Sequence, residues 1–252
     1  MMVDEGQVVL VTGAAGGIGK ACVEYLLANK RKVMATDVNA QGLEAAFGCD
    51  RENLVYQACD VADAAQCAAV VDATAAAFGR VDALIHWGGR HSIKTWDELT
   101  AEDVDQVLRV NVTGSFLIAQ ATARRMIADG NGGAIVLTGS TATIHAPIGG
   151  GAGNGGPAYV TSKAAITGMV RSLARALGPS GIRVNGVAPG VTETPMIGNY
   201  SEATRQLQIN SSPLGRIGSA EEVAEAGVML VSNASRYVSG EVLIVNGATI
   251  FG

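Results

Sequence analysis

The chain has 252 residues, a formal net charge of -5 and 16% charged residues, and its lysines and arginines are scattered singly, which argues against nucleic acid as a partner. Residues 1–6 carry two acids and no apolar run, and no segment approaches the roughly 18 apolar residues of a membrane span, so neither an exported nor a membrane-spanning protein is expected. With 48% hydrophobic residues and 33 glycines, the composition suits one tightly packed α/β domain over residues 1–252, expected in the cytoplasm.

Short apolar, β-branched runs near 7–12, 32–37, 54–58, 81–87, 134–138, 182–187 and 242–245 predict seven strands, with helical patterns in the intervals. Such alternation predicts right-handed crossovers and a doubly wound, Rossmann-type parallel sheet with helices on both faces. The first strand runs into Gly13-Ala14-Ala15-Gly16-Gly17-Ile18-Gly19 and then a helix. A glycine turn at a helix N-terminus offers backbone N–H groups and the positive end of the helix dipole to a pyrophosphate. The second strand ends in Asp37, 24 residues after Gly13. A carboxylate there accepts hydrogen bonds from both ribose hydroxyls of NAD and repels the 2'-phosphate of NADP, and neither the turn nor Val38 and Asn39 supplies a compensating cation. NAD is therefore the expected cofactor.

Cys22, Cys49, Cys59 and Cys67 have neither paired spacing nor a secreted context, and His86, His91 and His145 lack ligand spacing. Reduced thiols and no metal are expected. Asn111 falls in a helical stretch between the fourth and fifth strands. Ser140 follows the fifth strand, and Tyr159 and Lys163, four apart, share one helix face. A tyrosine working as a base near neutral pH must be brought down by about 4 kcal/mol, which Lys163 and an oxidised nicotinamide could supply together. Ser140 can hydrogen-bond a substrate oxygen whose charge changes. Two segments break the strand-helix rhythm just beyond strand ends, where open α/β sheets place their ligands. Residues 149–156 (GGGAGNGG) hold six glycines in eight and suit neither helix nor strand. The stretch 194–219 begins Thr-Pro-Met, predicts a short helix and ends where Ser219 and Glu222 form a capping box. Substrate loops are accordingly expected near 141–157 and 194–219.

Taken together, these features resemble the classical short-chain dehydrogenase/reductase family over residues 8–247. Thr12-Gly13-x-x-x-Gly17-Ile18-Gly19 is similar to its cofactor turn, and Asp60-Val61 to its adenine contact. Gly88 matches the small residue beside the cofactor, and Pro189-Gly190 with Thr194 the grip on the nicotinamide carboxamide. The resemblance implies that Tyr159 is the acid-base, that Lys163 lowers its pKa and holds the ribose, and that Ser140 orients the substrate. It implies further that Asn111 holds a water relaying protons to Lys163, and that the protein is a homotetramer with residues 246–252 near a subunit contact.

The chain departs from the family in two places. His86-Trp87-Gly88-Gly89 stands where the family usually has Asn-Asn-Ala-Gly, which implies altered stitching between strands with cofactor binding kept; Trp87 is read as core in preference to a substrate wall. Ser140 and Tyr159 are 19 apart, more than the family's usual spacing, and the surplus matches the glycine-rich segment. That segment is read either as a lid over the substrate or as a passive surface insertion. Arg90, His91 and His145 either line the pocket entrance or are solvated loop residues.

The reaction expected is NAD-dependent hydride transfer between a small or medium neutral secondary alcohol, cyclic ones included, and its ketone. Ile144, Val191, Met196 and Ile197 are the expected pocket walls, and no basic cluster accompanies Ser140 and Tyr159. Two alternatives stay open. One is a 3-oxoacyl thioester reductase, against which Asp37 and the acidic balance weigh. The other is a non-catalytic NAD sensor, against which the four filled catalytic positions weigh.

Overall fold

The computed structural model describes residues 5–147, 149–150 and 155–252. Parts of the sequence reading fall elsewhere: residues 1–4 of the N-terminal stretch, 148 of the loop 141–157, and 151–154 of the glycine-rich segment lie outside the described residues. The described chain has nine strands: β1 (Val8–Thr12), β2 (Lys32–Asp37), β3 (Leu54–Ala58), β4 (Ala83–His86), β5 (Gly133–Thr138), β6 (Ile182–Pro189), β7 (Thr192–Glu193), β8 (Gly218–Ser219) and β9 (Val242–Val245). Seven form one sheet in the order β3-β2-β1-β4-β5-β6-β9, and every pairing in it is parallel. The expected seven-stranded doubly wound sheet is thus present.

A parallel sheet covered on both faces needs apolar side chains on both, and β1 meets this with five consecutive buried residues. Val9 and Val11 pack into one core with Cys22 and Leu26 of α1 (Gly17–Ala28), Leu43 of α2 (Ala40–Phe47) and Val223 and Val228 of α9 (Ala220–Val231). Leu10 points the other way, into a core with Val70 of α3 (Ala64–Phe78), Ile118 and Met126 of α5 (Ser115–Asp129) and Ile166 of α7 (Pro157–Leu177). The two-residue alternation of a strand therefore divides the core between two helical layers.

Between α4 (Ala101–Leu108) and α5 the chain takes a π-helical turn, Arg109–Gly114, where a plain helix was expected. Such widened turns occur mostly at functional sites, and this one carries Asn111. The two-residue strands β7 and β8 pair with each other and tie together the ends of the 194–219 segment; they are too short to leave a periodic signal. Between them, α8 (Glu202–Ser211) is the short helix expected, and the capping box of α9 is formed by Ser219 and Glu222. The four cysteines are free, and burial pushes the Cys22 thiol up to about 12. No helix among the described residues is long and apolar enough to cross a membrane.

Candidate active site

In the sheet order, β1 and β4 are neighbours although two strands separate them in sequence, and this reversal opens a crevice at their C-terminal ends. Gly13, just past β1, has φ +68°, and a Cβ on it would lie 2.6 Å from the Gly88 nitrogen; a Cβ on Gly19 would lie 2.0 Å from the Gly13 carbonyl oxygen. Glycine at both positions lets turn, helix and the loop after β4 touch through their backbones. Helix α1 has Gly16 as N-cap, no side-chain cap and no acid in its first turn, so its leading N–H groups suit an anion. Ile18 packs onto the adjoining core. Asp37 lies beside this turn, its carboxylate accepting from Ala15 N–H at 3.1 Å and Asn39 N–H at 3.0 Å.

Beyond β3, Asp60 accepts from Ala62 N–H at 2.9 Å, and Val61 is buried against Gly114, where a Cβ would meet its methyl at 2.8 Å. At the other end of the crevice, Pro189 closes β6 and Gly190 abuts Asn246. Thr194 faces the glycine turn: a Cβ on Gly17 would meet its methyl at 2.7 Å. The donors and the glycine cradle fit a dinucleotide lying from the ends of β2 and β3 to Pro189 and Gly190.

The residues expected to do acid-base work stand on α7, whose first residue is Pro157, a position where the missing N–H costs nothing. Tyr159 and Lys163 are one turn apart on it, with Lys163 buried and its Nζ 5.8 Å from the centre of the tyrosine ring. Burial pulls the Lys163 ammonium down to about 8, and Nζ donates to the Thr138 carbonyl at 2.8 Å. Burial also pushes the Tyr159 phenol above its ordinary value, and the nearby Ser140 hydroxyl draws it part of the way back. The Lys163 charge is thus engaged by a carbonyl at the end of β5 while standing over the tyrosine ring. Ser140 is oriented from behind, since its Oγ accepts from Ala142 N–H at 3.1 Å at the start of α6 (Ala142–His145).

Asn111, fully buried in the π-helical turn, reaches two places. Its Oδ1 accepts from Arg90 N–H at 2.6 Å, and its Nδ2 donates to the Arg90 carbonyl and to Ser162 Oγ, both at 2.9 Å. The side chain is thus a clamp on the loop after β4, and a relay water would have to use a remaining carbonyl lone pair. Gly89 separates Asn111 from Lys163: a Cβ there would lie 3.3 Å from both Oδ1 and Nζ.

The altered stitching expected at His86 takes the form of side-chain contacts to β1 and α5. His86 is fully buried, with Nδ1 2.5 Å from Thr12 Oγ1 on β1 and Nε2 2.9 Å from Ser115 Oγ on α5. Ser115 Oγ donates to the Asn111 carbonyl at 2.6 Å, so it accepts from His86 Nε2–H, and Nδ1 is left to accept from Thr12. One tautomer satisfies every group in this run from cofactor turn to Asn111. Burial, reinforced by the nearby Lys163 charge, holds the imidazole down to about 3, so it is neutral. Trp87 is core, as expected: it packs on Gly227 of α9, where a Cβ would lie 2.6 Å from the indole.

The four residues expected as pocket walls are placed unlike one another. Met196 and Ile144 are exposed and Ile197 is buried, while Val191 lines a cavity of about 420 Å³ with Thr141, His145, Leu207 and Leu214. His91 stands against Tyr159, its ring centre 4.6 Å from that of the tyrosine with the planes at 69°. The described ends of the glycine-rich segment are held to the loop after β4, with Gly150 N–H donating to the Ile93 carbonyl at 2.8 Å and Gly156 N–H to the Ser92 carbonyl at 2.7 Å. A Cβ on Gly156 would fall 1.9 Å from the Lys94 carbonyl oxygen, and one on Gly155 2.5 Å from the Tyr159 ring. These glycines form a wall of bare backbone, a contact that sequence spacing gave no sign of.

Comparison with known proteins agrees with this geometry. Residues 13–248 match the family model described as enoyl-(acyl carrier protein) reductase. The chain is 36% identical over 251 residues to D-threitol dehydrogenase of Mycolicibacterium smegmatis, covering 96% of this chain and 92% of the relative. It is 35% identical to 3-oxoacyl-[acyl-carrier-protein] reductase FabG of Thermotoga maritima, covering 98% of each. A solved structure from Brucella melitensis, described as a short-chain dehydrogenase/reductase of the glucose/ribitol dehydrogenase type, superposes over 100% of both chains with a TM-score of 0.89 at 28% identity.

Proposed function

The chain belongs to the short-chain dehydrogenase/reductase family of oxidoreductases, and from that membership we propose that it transfers hydride between a neutral secondary alcohol and NAD. The observation that carries this reading is the Ser140 hydroxyl placed near enough to the Tyr159 phenol to draw its pKa back, with Lys163 buried one turn along the same helix. An oxidised nicotinamide, when bound, supplies the hydride acceptor and a positive charge. Ser140 donates its hydroxyl hydrogen to the substrate oxygen and holds that oxygen beside Tyr159. Tyr159, as phenolate, takes the hydroxyl proton while the electron pair of the carbinol C–H bond leaves as hydride, so that the carbon–oxygen single bond becomes the ketone double bond. Lys163 holds positive charge near the phenolate. NAD is favoured over NADP by Asp37, whose carboxylate accepts from ribose hydroxyls and repels a 2'-phosphate.

Reduction of a 3-oxoacyl thioester is the second reading, favoured by the relative from Thermotoga maritima. An acidic carrier needs free cations at the site's rim, and here Lys94, Arg205 and Arg216 are each paired with a carboxylate: Asp103, Glu193 and Glu222. Initial rates with NAD and NADP across secondary alcohols, and in reverse with acetoacetyl thioesters, separate the two. The expected result is faster NAD-linked alcohol oxidation, with Tyr159→Phe lowering turnover by about 10² to 10⁴ while NAD affinity persists. Preferred NADPH-linked thioester reduction would overturn the proposal.

A further inference from the structure

His91 is placed with unusual firmness for a loop residue. On one side, both backbone groups of Arg90 are held by the Asn111 amide. On the other, the carbonyls of Ser92 and Ile93 accept from Gly156 and Gly150. The imidazole between these anchors is half-buried and leans edge-on against the Tyr159 ring. Among the described residues nothing hydrogen-bonds its ring nitrogens, in contrast to His86, whose two nitrogens are both engaged. A polar ring held against the Tyr159 ring, with both nitrogens unspent among the described residues, is prepared for something that arrives with the substrate.

Burial and the charge of Lys163 both hold the His91 imidazole below its ordinary value, so it is neutral, with one nitrogen donating and the other accepting. That combination matches a hydroxyl, which also does both. A carboxylate or phosphate would call for two donors and a positive charge.

Resting on the alcohol dehydrogenase reading above, we propose that His91 is a specificity-determining residue that hydrogen-bonds a hydroxyl on the carbon next to the reacting carbinol, so that the preferred substrates are vicinal diols and polyols. Tyr159 and Ser140 hold the reacting oxygen, and His91 holds its neighbour. The bare backbone of Gly155 packs on the tyrosine ring and walls this side of the pocket.

The experiment compares a matched pair of alcohols, 2,3-butanediol and 2-butanol, on the full chain with NAD. Wild-type kcat/KM is expected to favour the diol by about tenfold or more. His91→Ala should lose about 10- to 100-fold on the diol, chiefly as a raised KM, and at least about tenfold less than that on 2-butanol. His91→Asn, which keeps a donor and an acceptor, should recover part of the diol preference. Equal losses on both alcohols would make His91 a mere prop for Tyr159 and overturn the assignment, as would undiminished diol preference in His91→Ala. An enzyme that oxidises neither diol nor simple alcohol with NAD or NADP would overturn the underlying dehydrogenase reading, and this is seen in the wild type before any substitution is made.

Discussion

The two sides of the cleft both depend on glycine, but for different kinds of order. On the cofactor side Gly13, Gly19 and Gly88 let strand ends and a helix start touch directly, and that contact is inherited from the sheet. On the substrate side Gly150 and Gly156 join Ile93 and Ser92, partners 57 and 64 residues away in sequence, by main-chain hydrogen bonds between loops. The first kind of order should last as long as the global fold; the second depends on a few bonds worth about 1 kcal/mol each. Cofactor affinity and alcohol kinetics ought therefore to be separable.

The largest effect that tests this division is acid loss of stability on the cofactor side. His86 is held down to about 3 in the folded protein, against 6.5 for an ordinary histidine. Between those values the unfolded chain binds a proton that the folded chain refuses. Stability is thus fully present above about pH 6.5 and declines as pH falls toward 3, by up to about 4 kcal/mol. Denaturant titrations at several pH values should show this slope in the wild type and a flatter one in His86→Asn. Parallel slopes would place the acid sensitivity elsewhere.

Next in size is Asp37→Ser, which should weaken NADH binding by about 1 to 3 kcal/mol and move preference toward NADPH, as read by fluorescence titration with each nucleotide. An unmoved preference would confine Asp37 to its bonds with Ala15 and Asn39. The smallest effect, and the sharpest for the comparison, is Gly156→Ala. Its new methyl would meet the Lys94 carbonyl and push the two loops apart, lowering kcat/KM for the alcohol about tenfold with NADH affinity changed by less than about twofold. An equal fall in both would show that the two sides are one unit.

The same division governs what could be read in the sequence. β1, the glycine turn, α1 and Asp37 lie within one short stretch, where spacing alone carries the geometry, and the apolar runs gave all seven strands of the sheet. Tyr159 and Lys163 were legible as a pair on one helix face. The carbonyl that holds Nζ was not, because Thr138 lies 25 residues away in sequence on a strand end. The meeting of His86 with Ser115 follows from the π-helical turn at Arg109–Gly114, and a run such as Arg-Val-Asn-Val-Thr-Gly reads like any helix. The pairing of the glycine-rich segment with Ser92 and Ile93 joins main-chain groups, which no side-chain pattern announces.

The hydrogen-bonded run through His86 makes one hydrogen atom unusually informative. The imidazole proton on Nε2 is enclosed between β1, β4 and α5 with no solvent exposure, so it trades with deuterium only when that crevice comes apart. Its resonance, followed in heavy water, is a clock for the breathing of the molecule's centre. The clock runs in the resting protein, with neither nucleotide nor alcohol present, and reports how often the floor of the cofactor cleft gives way.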